Sequence, residues 1–214
     1  MRSQYQIEKT ADWHYDTQEA PSSELRLLGR IPPSALPQNV GELLHRPYEM
    51  GGVQRIHSGD PAIAVDNAAI SERSRHMREI GYNEEHYFIE FNNEVVDSFA
   101  ASQKERFNLS YEHHCVIIIP PGQCMPVHGD TYSYLMRFMA RDNPTVGYDL
   151  ATNARRYLTF LTDWDWGQSL GAGNVLQWQW NKGDTYEWDH KLIHWCSNAG
   201  FAPMVFFEIT GLEL

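Results

Sequence analysis

The sequence predicts a mainly β protein, a sandwich or barrel with helices in its N-terminal part. Many short candidate strands separated by turns follow residue 110, and two stretches with apolar residues at helical spacing precede it. The chain has 214 residues, of which 42% are hydrophobic and 13% aromatic. That is enough for one domain with a sizeable core, and β barrels of this length often remain a single domain. We therefore expect one domain over 1–214, with a helical and irregular part at 1–109 and a β core at 110–214.

The N-terminal part is punctuated by proline and glycine over residues 1–65. This composition predicts an irregular segment that wraps the core, with a short helix at 39–45. A longer helix is predicted at 66–80, where capping residues frame apolar positions at helical spacing. A strand candidate follows at 87–91. A second helix is predicted at 93–105, because its apolar residues fall on one side.

The strongest strand candidate is the β-branched run His114–Ile119, which a Pro-Pro-Gly turn closes. Adjacent strand residues point to opposite faces, so His113 and His114 cannot both face one metal, and we expect both to be structural. The alternation of Trp178 and Trp180 predicts that their strand is buried on one side. The further candidate strands, separated by turn residues, are 123–128, 132–139, 155–162, 174–180, 191–196 and 203–210.

Charge and cysteine content exclude several classes of protein. A net charge of -11 argues against a nucleic-acid backbone or an anionic membrane as the main partner. The sequence has neither an apolar run of membrane-spanning length nor the apolar region of a signal peptide. Its three cysteines lack C-x-x-C spacing, which fits a reducing cytoplasm better than a disulfide scaffold or a structural zinc site. We therefore expect a cytoplasmic protein.

A possible metal-binding constellation is formed by His128, Asp130 and His194. Two imidazoles and one carboxylate on one face of a metal are the ligand set of non-haem iron(II) oxygenases. Residues two apart in a strand point to the same face, so His128 and Asp130 can both point into a barrel, and His194 must arrive on a neighbouring strand. Taken alone, a His-x-Asp pair also fits a turn with a hydrogen-bonded histidine. His190 is the alternative third ligand.

The glycines around these residues resemble the two sequence motifs of the cupin jelly roll. Gly122 stands before His128 with five residues between, and Gly183 stands before His194 with ten between. Asn198 follows the second histidine after three further residues. In that family, a glycine ends a tight turn and the next strand delivers metal ligands inward.

The departures from the cupin motifs are similar to those of another group. The first motif has His-x-Asp instead of His-x-His, and Tyr134 and Leu135 fill the place of its Glu. The Pro and Gly of the second motif are Asp189 and Lys191. His-x-Asp followed 66 residues later by His resembles the 2-oxoglutarate- and iron(II)-dependent oxygenases. The resemblance covers roughly residues 110–212. Arg137, nine residues after the first His, is similar to an arginine of the aspartyl/asparaginyl β-hydroxylase-like branch.

This resemblance implies a double-stranded β-helix, or jelly roll, with the N-terminal helices packed on it. It implies that His128, Asp130 and His194 bind Fe(II), and that 2-oxoglutarate and O2 take the other coordination positions. The implied reaction is hydroxylation of a C–H bond in a small polar molecule, such as an amino acid or a natural-product intermediate. Halogenases of this superfamily carry a small residue where this chain has Asp130, so hydroxylation is favoured over halogenation.

The resemblance leaves the anchor of the co-substrate open. Many members carry an arginine about ten residues after the second histidine, and this chain has Met204 there. An arginine fork suits a carboxylate because it binds in a bidentate manner. The candidate anchors are Arg137, Arg155 and Arg156, and the candidate residues of the substrate pocket wall are Tyr132, Tyr134 and Gln168.

Two other functions remain open at this point. The first is a cupin-type dioxygenase that does not use 2-oxoglutarate, which the missing arginine at 204 supports and the His-x-Asp pair opposes. The second is a non-enzymatic jelly-roll binding module. A homodimer is possible in each case.

Overall fold

The computed structural model describes residues 25–38, 53–57, 85–89, 94–128, 135, 153–173, 175–189 and 192–213. For 53–57, 85–89, 94–95, 126–128 and 189 it describes the backbone alone. The strands are β1 Arg26–Arg30, β2 Val53–His57, β3 Glu85–Ile89, β4 Leu109–Ile119, β5 Gln123–His128, β6 Ala154–Phe160, β7 Gln168–Ala172, β8 Val175–Gln177, β9 Asp184–Asp189, β10 His194–Asn198 and β11 Met204–Glu213. A 3-10 turn, Pro33–Ala35, follows β1, and helix α1, Glu94–Arg106, precedes β4.

The strands form two antiparallel sheets. The larger has seven strands in the order β1-β9-β6-β11-β4-β3-β2, and the smaller has four in the order β5-β10-β7-β8. The chain passes repeatedly from one sheet to the other, so that strands distant in sequence are neighbours in space. The protein is a double-stranded β-helix with a helix packed on it, which confirms the predicted fold class.

The main core lies between the two sheets. Alternate residues of the larger sheet, such as Ile117, Phe160 and Phe206, pack there with Leu170 and Cys196 of the smaller sheet. We call this surface of the larger sheet its inner face. Strand periodicity then assigns every second residue of β4, β6, β9 and β11 to the inner face.

The outer face of the larger sheet is also buried, because α1 covers it. Val96, Phe99 and Ala100 of the helix pack with Val116 of β4 and Phe207 of β11, and the rings of Phe99 and Phe207 meet edge to face at 4.8 Å. A strand buried on both faces does not alternate apolar with polar residues. This explains the uninterrupted isoleucine run of β4, and it confirms the predicted helix at 93–105.

His114 on the outer face links the helix to the sheet. Its Nδ1 lies 2.9 Å from a Glu112 carboxylate oxygen, and its Nε2 lies 3.2 Å from one of Asp97 on α1. Burial disfavours the charged imidazole, but these two carboxylates outweigh it and raise the pKa of His114. The prediction that His114 is structural agrees with these contacts.

Part of the segment predicted to be irregular is a strand. β1 pairs with β9 at the edge of the larger sheet, where Arg26 binds Glu187 and Arg30 binds Asp184 across the strands. Pairing with β9, rather than local composition, therefore decides the conformation of β1. The predicted helices at 39–45 and 66–80 lie outside the described residues, and the described helices are too short or too polar to cross a membrane.

Two predictions in the β core are wrong. Leu135 is helical and fully buried, although a strand was predicted at 132–139. The strand predicted at 174–180 is only β8, where Leu176 is 55% exposed. Trp178 is 54% exposed and Trp180 is 3% exposed, so the two side chains do not share one buried face. The chain leaves the sheet after Gln177, which ends the alternation.

Candidate metal centre and inner-face site

The two predicted histidine ligands occupy paired positions on neighbouring strands. β10 and β5 run antiparallel, and the Cα of His194 is the partner of the Cα of His128. Directly opposed residues of an antiparallel pair lie on the same face of a sheet. The register therefore brings together two residues that lie 66 positions apart in the chain.

A β-bulge adjoins this pair. Between His194 and Cys196 the register shifts, so that β5 has one more residue than β10 over this stretch. The extra length includes Pro126, which has no N–H to give to a ladder and is therefore tolerated at an edge strand or a bulge. Bulges redirect the residues that follow them, and they are common beside active sites. Here the bulge determines on which face of the sheet position 128 of β5 lies.

The His194 side chain is held in a form suited to metal binding. It is 5% exposed, and its Nδ1 lies 3.0 Å from the carbonyl oxygen of Leu192. A carbonyl only accepts, so Nδ1 donates the proton, and Nε2 is the ring atom that would bind a metal. This second hydrogen bond is the usual means by which a protein orients a histidine ligand. The ring also packs against Trp188, with 5.2 Å between ring centroids.

Asn198 fixes the other end of β10. Its Nδ2 donates to the carbonyl oxygens of Ile119 at 2.9 Å and Ala202 at 2.8 Å, and its Oδ1 accepts from the Gly200 N–H at 3.1 Å. The Gly122 N–H donates to the Asn198 carbonyl oxygen at 2.7 Å. Through these hydrogen bonds, Asn198 joins the turn before β5 to the turn after β10.

Gly171 of β7 supports β10 from its other side. It is paired with Trp195, the residue after His194. A Cβ at Gly171 would overlap the Trp195 indole. The absence of a side chain therefore lets the indole lie flat on β7, directly beside the candidate ligand.

A row of polar residues crosses the inner face at the level of His194. Thr210 of β11 is paired with His113 of β4 on one side and with Arg156 of β6 on the other, and Arg156 is paired with Trp188 of β9. We call these four residues the inner row. Because Trp188 packs against His194, the row extends from the larger sheet to the candidate metal centre.

The inner row is enclosed by apolar side chains along the strands. The main core lies on one side of it, and a small buried cluster of Leu135, Ala154 and Leu212 lies on the other. Polar groups in such a setting are costly unless each has a partner. The row is thus a polar layer inside an apolar barrel, which is the setting of a binding site.

Arg156 carries the fixed positive charge of the inner row. Its Nη1 lies 3.0 Å from the Oε1 of Glu208, which is two residues before Thr210 on the same face of β11, and both side chains are about nine-tenths buried. Burial, and then the charges of Arg156 and His114, lower the pKa of His113 to about 4. His113 is therefore neutral at pH 7, and Glu208 is the counter-ion that the described residues supply to Arg156.

Two donors of the row have no partner among the residues described. The Trp188 Nε1 and the Thr210 Oγ1 are both buried without a hydrogen bond to the described part of the chain. Leaving a buried polar atom unpaired costs about 1–3 kcal/mol, so proteins rarely keep one without a use. The indole N–H can only donate, and it requires an acceptor such as a carboxylate oxygen.

The other predicted site residues have different locations. Arg155 points to the outer face, where its Nε lies 3.5 Å from Glu187 and 3.6 Å from Glu213. Gln168 is buried at the Asn198 end of β10, donating to the Ala202 carbonyl oxygen at 2.9 Å and accepting from the Asp165 N–H at 3.2 Å. Gln168 therefore connects two loops by hydrogen bonds, about 13 Å along the strand from His194.

Four predicted residues, Asp130, Tyr132, Tyr134 and Arg137, lie outside the described residues, as does the alternative ligand His190. Within the described ranges, no group of three His, Cys, Asp or Glu side chains is arranged to hold a metal. The third ligand of the centre thus remains a prediction from the His-x-Asp spacing. His194 and the backbone of His128 are the parts of it that the structure describes.

Sequence reasoning did not identify Glu208, Trp188 or Thr210 as site residues. The signal for Glu208 is a single charge in the otherwise apolar segment MVFFEIT. A carboxylate two residues from Phe206 in a strand must share its face, and that face is the inner one. Trp188 gave no such signal, because an aromatic residue in a strand is more often a core residue.

No protein-family model matches the chain, and no curated protein sequence is similar to it. Its fold is similar to that of a crystal structure of a prolyl-4-hydroxylase from Pseudomonas putida, with 12% identity, a TM-score of 0.53, and coverage of 89% of this chain and 92% of that one. A predicted oxalate decarboxylase from Thermotoga maritima matches at 13% identity and TM-score 0.37, covering 62% of this chain and 84% of that one. A cupin-superfamily sugar phosphate isomerase from Silicibacter pomeroyi matches at 9% identity and TM-score 0.35, covering 59% of each chain. The similarity to the prolyl-4-hydroxylase structure agrees with the double-stranded β-helix of the described residues.

Proposed function

We propose that this protein is a non-haem iron(II) oxygenase that uses 2-oxoglutarate and O2 to hydroxylate a C–H bond of a small polar substrate. The observation that supports it most is the pairing of His128 with His194 on adjacent strands, beside an inner face that carries a buried arginine. The similarity in fold to a prolyl-4-hydroxylase is in keeping with this activity.

The metal would be held by His128, Asp130 and His194. When bound, iron(II) supplies the activation of O2 that is coupled to decarboxylation of the 2-oxo acid. The described residues have three parts in this. The Leu192 carbonyl orients His194, Trp188 closes one side of the centre against water, and the inner row presents donors to an anionic ligand.

Arg156 is the described residue best suited to anchor the co-substrate carboxylate. It lies on the inner face beside Trp188, whereas Arg155 lies on the outer face with its own acidic partners. The Trp188 N–H and the Thr210 O–H, which lack a partner in the described part of the chain, are two further donors for the same carboxylate. Arg137 remains a candidate from its sequence position.

The ion pair between Arg156 and Glu208 favours one alternative, a cupin-type dioxygenase that does not use 2-oxoglutarate. An arginine that already has a buried counter-ion has less capacity to hold a second carboxylate. The two functions differ in whether turnover requires a 2-oxo acid. A jelly-roll binding module would show no turnover with or without one.

The test is succinate formation by the purified protein in iron(II), O2 and 2-oxoglutarate, measured by mass spectrometry over a panel of amino acids and peptides. We expect slow succinate release without substrate and faster release with the right one, in equal amount to the hydroxylated product. Asp130→Ala should abolish hydroxylation, because it removes a ligand and a negative charge. Oxidised product at full rate without any 2-oxo acid would instead support the cupin-type dioxygenase.

A further inference from the structure

Glu208 places a buried negative charge next to the inner row. Glu208 stands between Phe206 and Thr210 on the inner face of β11, where the neighbouring strands place Cys115 and Leu158 opposite it. These surroundings do not require a charge, and a buried carboxylate there is costly unless it is paired. Its described partner is Arg156, at 3.0 Å.

A ligand carboxylate that approaches Arg156 must therefore share it with Glu208. Among the described residues, two carboxylates would then face one guanidinium, and the other members of the inner row carry no charge at pH 7, since the pKa of His113 is about 4. Repulsion between like charges is much stronger in a buried site than in water, because the effective dielectric constant is lower. A neutral carboxamide of the same shape would meet the same donors, and Glu208 would accept a hydrogen bond from its NH2 group.

We propose that Glu208 is a specificity-determining residue that lowers the affinity of the inner row for a second carboxylate on the 2-oxo acid. This inference rests on the proposed function, because it takes the distal end of a 2-oxo acid to lie at Arg156. Glu208 touches the anchor and not the reacting atoms. It decides how strongly 2-oxoglutarate is held compared with an analogue whose distal group is neutral.

The experiment compares 2-oxoglutarate with 2-oxoglutaramate, which differ only in a distal carboxylate or carboxamide. Binding to the zinc(II)-loaded protein is measured by calorimetry, so that no turnover occurs. In Glu208→Gln, the ratio of the two dissociation constants should shift at least tenfold toward 2-oxoglutarate. The matched control is Glu187→Gln, which removes the same charge from a side chain that is also about nine-tenths buried but binds Arg26 and Arg155 on the outer face. Its ratio should stay within twofold of the wild-type value.

A second variant keeps the test decisive if Glu208→Gln does not fold. Arg156→Gln leaves Glu208 facing the ligand without this counter-ion, and the ratio should shift in the opposite direction, toward 2-oxoglutaramate. An unchanged ratio in the variant that folds, or no binding of either acid to any form, overturns the proposal. If the ratio shifts as expected while no 2-oxo acid is consumed, the proposed oxygenase function fails and the role of Glu208 stands. If succinate forms while the ratio does not shift, the role of Glu208 fails and the oxygenase function stands.

Discussion

Replacing Trp188 by Phe removes an indole N–H that has no partner among the described residues, and it keeps an aromatic ring against His194. Two effects on the free energy of unfolding oppose each other. The smaller ring leaves a void that costs about 1–2 kcal/mol, below the range for truncation to alanine. Removal of a buried unpaired donor returns about 1–3 kcal/mol. We therefore expect stability to fall by no more than about 1 kcal/mol, or to rise by up to about 2 kcal/mol.

Ligand binding should respond very differently to Trp188→Phe. If the N–H donates to a carboxylate, its loss should cost about 1.5–3 kcal/mol of binding, as for hydrogen bonds to charged groups. That corresponds to a roughly 10- to 100-fold higher dissociation constant for 2-oxoglutarate. Calorimetry on the zinc(II)-loaded protein measures the affinity, and urea unfolding measures the stability.

Trp180→Phe is the matched control. Trp180 is equally buried, its Nε1 also lacks a partner in the described part of the chain, and it stacks on Phe160 with 4.0 Å between ring centroids. Phe160 lies four residues from Arg156, about 13 Å along β6. Trp180→Phe should leave the affinity unchanged. Equal affinity in Trp188→Phe and the wild type, with a loss of stability beyond 2 kcal/mol, would make Trp188 a core residue and refute the reasoning.

Three further changes test the scaffold, each by urea unfolding. The pKa of His114 is raised above 6.5, so its ion pair with Asp97 is complete below that pH and is lost as pH rises through the folded pKa. The wild type should therefore lose more stability over this rise than His114→Gln. Parallel plots of stability against pH for the two proteins would refute the contribution of the ion pair. Asn198→Ala should cost about 2–4 kcal/mol, because two buried hydrogen bonds and one partly buried one are lost, and a cost below 1 kcal/mol would contradict this. Gly171→Ala should destabilise the fold and weaken metal binding, because the added Cβ would displace Trp195 beside His194. Unchanged metal affinity would show that the packing at Gly171 does not affect His194.

Much of the fold follows from local sequence because burial dictates it. The isoleucine run of β4 must be covered on both faces, and the helix with apolar residues on one side covers the outer one. The sequence also predicted that His194 lies on a strand next to that of His128, although the strand that follows Gly183 is β9 and His194 lies on the next one, β10. Strand β1 could not be predicted from local sequence, because its conformation depends on pairing with a strand more than 150 residues away.

The chemistry of the inner row depended on strand phase, which sequence alone did not supply. Arg155 and Arg156 are adjacent, and only pairing of β6 with β9 and β11 shows which one faces inward. β7 was missed because QSLGA contains small residues, and its glycine is needed only because Trp195 lies against it. These outcomes arise from contacts between strands, which local propensity does not encode.

The central claim is that His128 and His194 form part of one metal centre, and metal content tests it most directly. Protein purified anaerobically with iron(II) should contain one equivalent by elemental analysis. His128→Ala and His194→Ala should lose most of it, because a site with one ligand fewer holds metal poorly. His190→Ala and His113→Ala should keep it. Full iron in His194→Ala, together with its loss in His190→Ala, would contradict the account.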